Sequence, residues 1–186
     1  MTLYGALAAA DTGLATLGRH RERWITKPLL MPALLRGKPR ATQTALALGG
    51  AGDVALQAGA FTAGLGAFLA GHLAWMAALR PHSRGAVTPL RAAPYFIAWV
   101  GFNAYLWRRT GRDRIPVVLY STALLGTGLA SLDTGQPAGG VLFLLSDGLL
   151  ALERFGGVSL PLHEGLVMAT YTTAQSLLAQ STQVRA

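Results

Sequence analysis

Five side chains capable of proton chemistry fall inside or beside long uncharged stretches of this chain: Lys27, Asp53, Tyr120, Asp147 and Glu164. A charge at the centre of a lipid bilayer costs about 2.5–3.5 kcal/mol on insertion scales, so an ionisable group kept in an apolar segment is first read as functional. Two carboxyls in a low-dielectric cleft cannot both ionise cheaply, which leaves a protonated acid beside a carboxylate. Such a pair can donate a proton and activate water, the needs of acid-catalysed hydrolysis. Lys27 and the arginine-rich turns could hold an anionic phosphate at the entrance. Together these residues suggest hydrolysis of an amphiphile whose tail enters from the bilayer.

Plainer roles compete with these. Asp53 and Asp147 could bond across helices or to freed backbone, and Lys27 could snorkel to an interface. His72 shares a helix face with Phe68, Trp75 and Met76, where a hydrogen-bonded core histidine is as natural as a cavity floor. His163 and Glu164 follow Pro161 near a helix start, so capping explains them well. Asp11 and Asp133 lie near helix ends or on a lone helix and are set aside. With no HxxxH or HxH and no cysteine, a metal site is not expected.

The elements that must carry these residues follow from composition. Of 186 residues only 13% are charged, against roughly 25% in soluble domains, while 52% are hydrophobic and 23 are glycine. The absence of cysteine excludes disulfides and thiolate chemistry, and the apolar content excludes disorder. A net charge of +8 suggests nucleic acid, but the basic residues cluster between uncharged runs, which is a membrane pattern. Met1 to Leu17 lacks a basic start and contains Asp11, so it reads as a first membrane helix rather than a signal peptide.

Bilayer-spanning helices need about 20 mostly apolar residues. The sequence gives candidates at about 2–18, 24–36, 41–58, 59–79, 89–108, 115–133, 137–153 and 158–180. The expected fold is therefore all-α: one domain over 1–186, a polytopic bundle of eight transmembrane helices. The second helix is short, carries two prolines and is expected to tilt or span only partly. Gly52-Asp53 and Ser146-Asp147, 94 residues apart, hint at two parallel four-helix halves. Trp24, Trp75 and Trp107 are placed at interfaces. Gly59, Ala63, Ala67 and Gly71 form a small-residue stripe for close helix packing. Nine basic residues on one face against seven on the other, Arg185 included, leave the orientation open. At about 1.5 Å per residue, Asp53, Asp147, Glu164, Tyr120 and Lys27 converge roughly 5–9 Å below the face carrying the odd-numbered turns, with His72 and Tyr171 deeper, at roughly 20 Å.

Six motifs then resemble the YhhN-like lysoplasmalogenase family in order and spacing. They are Lys27-Pro28-Leu29-Leu30-Met31-Pro32, Gly52-Asp53, Phe61-x2-Gly64-x3-Phe68-x3-His72, Pro116-x3-Tyr120, Gly140-x2-Phe143-x2-Ser146-Asp147 and Met168-x2-Tyr171-x3-Gln175. The resemblance implies an eight-helix integral membrane fold that hydrolyses the vinyl ether bond of lysoplasmalogens to a fatty aldehyde and a glycerophospho-base, without metal or organic cofactor. It implies Asp53 and Asp147 as catalytic carboxyls, with Lys27, His72, Tyr120, Tyr171 and Gln175 on its other polar positions. The implied partners are a lysophospholipid substrate and the lipid bilayer, not nucleic acid, and the implied location is the bacterial inner membrane. The competing class is a proton- or cation-coupled small transporter or lipid-binding membrane protein, which paired intramembrane acids also suit.

Overall fold

The computed structural model describes residues 2–183, so Arg185 lies outside the described residues. Within them the chain is all-helical and has no strand. In order the helices are α1 (Leu3–Thr16), α2 (Arg23–Leu35), α3 (Arg40–Gln57), α4 (Phe61–Leu79), α5 (Pro89–Trp107), α6 (Arg114–Asp133), α7 (Ala138–Gly156) and α8 (His163–Ser181). Two segments, Phe61–His82 and Gly111–Asp133, are long and apolar enough to cross a membrane.

Local chemistry sets the ends. Thr88 caps α5 by accepting from the Arg91 amide at 3.3 Å, and Pro89 follows at the first helical position, where its missing N–H costs nothing. Gly59 makes the tight α3–α4 turn at φ 78°, a conformation that few side chains tolerate. α8 begins at His163, five residues later than expected. Pro161 disfavours a helical Leu160 before it. Leu162 then turns through φ 59°, and His163 Nδ1 accepts the Leu160 amide at 3.2 Å.

Seven helices close a ring by their neighbour contacts, in the order α1, α2, α3, α4, α6, α7, α8 and back to α1. α5 stands outside and packs chiefly on α6. The expected parallel halves would seat α5 between α4 and α6, as α1 sits between α8 and α2. Instead α4 meets α6 directly, so the packing departs from two equivalent halves.

Close approach is made by glycines, though not by the expected stripe. Gly59 lies in the turn and Ala63 is exposed. Of the stripe Gly71 does face α3, with ordinary room beside the Ala45 carbonyl at 3.6 Å, whereas Gly64, outside the stripe, lies tight on α3, where an added Cβ would meet Leu56 at 2.7 Å. At the α6–α7 crossing, a Cβ on Gly140 would lie 2.8 Å from Ser131 Cβ and 2.9 Å from Gly128 Cα. Backbone cannot give way as a side-chain tip can. Gly140→Ala is therefore expected to destabilise the bundle by about 1–3 kcal/mol, measured by thermal unfolding in detergent; an unchanged midpoint would refute the crossing. Trp75 also departs from expectation: it is 1% exposed, a member of the same core cluster as Leu79 and Leu124 rather than an interfacial anchor.

Candidate active site

α3 and α7 lie across the ring from one another, and Asp53, in the last turns of α3, and Asp147, at the middle of α7, line a common cavity of about 440 Å³. The cavity opens at the face holding the α1–α2, α3–α4 and α7–α8 turns, where His20, Gln57, Phe61 and Arg154 stand.

Asp53 is 3% exposed and both its oxygens are engaged. Lys27 Nζ lies 3.4 Å from Oδ1, and the Tyr171 hydroxyl donates to Oδ2 at 2.8 Å. Gln175, one turn further along α8, donates from Nε2 to the Tyr171 oxygen at 3.1 Å. Gly49 leaves room for that amide, because a Cβ there would stand 3.0 Å from it.

Asp147 has a different set of neighbours. The Tyr120 hydroxyl donates to its Oδ2 in a short contact, and His72 Nε2 lies 3.2 Å from the Tyr120 oxygen and 3.9 Å from the same carboxyl oxygen. His72 Nδ1 is 3.1 Å from Thr127 Oγ1. Oδ1 of Asp147 has no hydrogen-bond partner among the described residues, and Asp147 lines the cavity. Phe143, 1% exposed, packs edge-on to both networks, with ring centroids 4.7 Å from His72 and 5.5 Å from Tyr171. Gly52 admits Phe68, whose ring packs against Tyr171 at 6.1 Å.

These contacts correct the two depths read from the sequence. Side chains on a helix tilt toward its N-terminus. α4, α6 and α8 start at the open face, so His72 and Tyr171 reach up, while α3 and α7 end there, so the aspartates reach down. The two tiers thus meet, in two networks, one about each aspartate. Lys27 turns inward to Asp53 and is not a free anchor for phosphate. Glu164 joins neither aspartate; it pairs with Arg23 at 3.0 Å and His20 at 3.6 Å.

The model of the YhhN family matches residues 22–182. The chain belongs to the YhhN family. Two similar proteins, each named Lysoplasmalogenase, come from Mycobacterium bovis and Mycobacterium tuberculosis. Each is 33% identical over 166 residues, covering 80% of this chain and 56% of the relative. The chain thus spans little more than half the length of these relatives. No solved structure gives a significant match.

In this YhhN-family chain the sequence reading missed a second buried cluster. Asp11, 0% exposed, receives Arg23 at 3.4 and 3.3 Å and the Thr26 hydroxyl at 2.6 Å. It ties α1 to α2 at the cavity mouth, and through Arg23 to Glu164 on α8. The signal was an acid and a base on opposite sides of one short turn. Thr127 was missed as well, although it lies seven residues after Tyr120 and so on the same face of α6. Among the described residues no cluster of His, Cys, Asp or Glu could hold a metal ion.

Proposed function

We propose that this chain is a membrane-embedded lysoplasmalogenase. The observation that carries the reading is the pair of buried aspartates on one cavity, each supported by a tyrosine hydroxyl from a different helix. The family and the names of the relatives support the same substrate class.

The bundle lies in the bilayer with its eight helices crossing, the short α1 and α2 reaching only about 20 Å at 1.5 Å per residue. α5 turns Leu90, Ile97 and Val100 outward, which lipid would cover. Trp24 and Trp107 stand half-exposed at the open face, as interfacial aromatics do. On this reading the protein of a bacterium sits in the inner membrane, its cavity open at one surface.

Asp147 delivers a proton from its free Oδ1 to the vinyl carbon distal to the ether oxygen. The other vinyl carbon and the oxygen become an oxocarbenium ion, which the Asp53 carboxylate stabilises. Water adds to that carbon and returns a proton to the carboxylates. The resulting hemiacetal breaks its C–O bond, with the hydroxyl proton passing to the departing glycerol oxygen, and yields the fatty aldehyde and the glycerophospho-base. Tyr120 stabilises the carboxylate that Asp147 leaves, and Lys27, Tyr171 and Gln175 hold Asp53 in place.

The test is aldehyde release from a vinyl-ether lysophospholipid by purified protein in detergent, beside Asp53→Asn. Preorganised electrostatic groups contribute about 10²–10³ in kcat, and a loss of that size is expected. No release from folded wild type would refute the hydrolase, and uptake into vesicles driven by a pH gradient would then identify a transporter.

A further inference from the structure

Four basic side chains line the cavity, and three already have carboxylate partners. Lys27 lies on Asp53, Arg23 between Asp11 and Glu164, and His20 on Glu164. Arg154, in the last turn of α7, has no carboxylate within ion-pair distance among the described residues. Its neighbour Glu153 does not neutralise it, for Glu153 lies 3.6 Å from His163.

Arg154 is nonetheless held in place. Its guanidinium lies 3.7 Å from the centroid of the Phe61 ring and 5.6 Å from that of Phe155, and the two rings meet edge to face at 5.8 Å. Stacking uses the flat face of the guanidinium and leaves its edge, with five N–H donors in a fixed fork, free for an acceptor. An oriented, unanswered fork at the mouth of a cavity suits a phosphate, which it can bind through two parallel hydrogen bonds.

The spacing along α7 supplies a ruler. Arg154 follows Asp147 by seven residues, two turns on one face, or about 10.5 Å. In a 1-alkenyl glycerophospholipid, seven bonds separate the vinyl carbon that takes the proton from phosphorus, roughly 9 Å when extended at bond lengths of about 1.5 Å. We propose that Arg154 is the phosphate anchor of the cavity, setting the register that brings the vinyl ether to Asp147. The inference rests on the lysophospholipid reading above and adds the residue that recognises the headgroup end.

The experiment compares wild type with Arg154→Gln and Arg154→Lys on two substrates, a vinyl-ether lysophospholipid and the phosphate-free 1-alkenylglycerol. The ratio of their kcat/KM values is expected to fall at least tenfold in Arg154→Gln, the loss expected for hydrogen bonds between charged groups. Arg154→Lys should recover part of it. An unaltered ratio overturns the anchor, because a merely structural Arg154 would harm both substrates alike. A second arm measures binding of a saturated ether lysophospholipid, which cannot be hydrolysed, through the fluorescence of Trp24 at the cavity wall. Weaker binding in Arg154→Gln supports the anchor even if wild type releases no aldehyde, a result that would refute the hydrolase alone. Glycerophosphate binding as tightly as the lipid would overturn the lipid headgroup as the source of the phosphate.

Discussion

Replacing Asp147 with asparagine is expected to lower kcat by about 10⁴, the upper end of what general acid catalysis contributes, while the protein stays folded. Asparagine fills the same volume, and its carbonyl oxygen can still accept from Tyr120. What it cannot do is release a proton to carbon. Carbon is a slow base, so the step that makes the oxocarbenium ion depends on the acid more than any later step does. Substrate binding should change little, because in the proposed mechanism the side chain meets the reacting atoms and not the headgroup, and the loss should appear in kcat rather than KM. Aldehyde release under single-turnover conditions measures it. If Asp147→Asn keeps more than a tenth of wild-type activity, Asp147 is not the proton donor.

The largest effect on stability is expected far from that chemistry, at Asp11. Asp11→Ala removes the carboxylate that holds both Arg23 and Thr26 and leaves a guanidinium, its side chain 10% exposed, with only the half-exposed Glu164. Breaking a buried ion pair from one side costs about 3–5 kcal/mol, which for a chain of this size lowers the unfolding midpoint by on the order of 10 °C. Thermal unfolding in detergent reads it directly. The double replacement Asp11→Leu with Arg23→Met should recover much of the loss, since apolar residues of similar volume often replace a buried pair without cost. A single variant as stable as wild type would mean that the pair contributes nothing to holding α1 and α2 together.

Asp53 and Asp147 were legible from sequence because a carboxylate in an apolar segment is costly, whereas Gln175 was reached only through the family motif Met168-x2-Tyr171-x3-Gln175. Asp11 was not, because its meaning depends on Arg23, which the sequence alone assigns to an exposed basic turn. The depth of His72 was misjudged because counting backbone rise ignores the tilt of side chains toward helix N-termini. Trp75 misled for a related reason: nearness to a helix end says nothing about which way the ring faces, and this one faces the core. Gly64 and Gly140 stand in the sequence motifs, but their packing role is visible only once the crossing partners are known.

α5 stands outside the ring and contributes no residue to the cavity wall. Its outward surface, with Leu90 85% exposed and Ile97 71%, answers to whatever surrounds the molecule and not to the groups that line the cavity. The helix is thus a gauge of the medium. A spin label or fluorophore on its outer side would report the surroundings and their local fluidity without touching the cavity, and the turns that flank it are the natural places to attach a tag or splice in another protein.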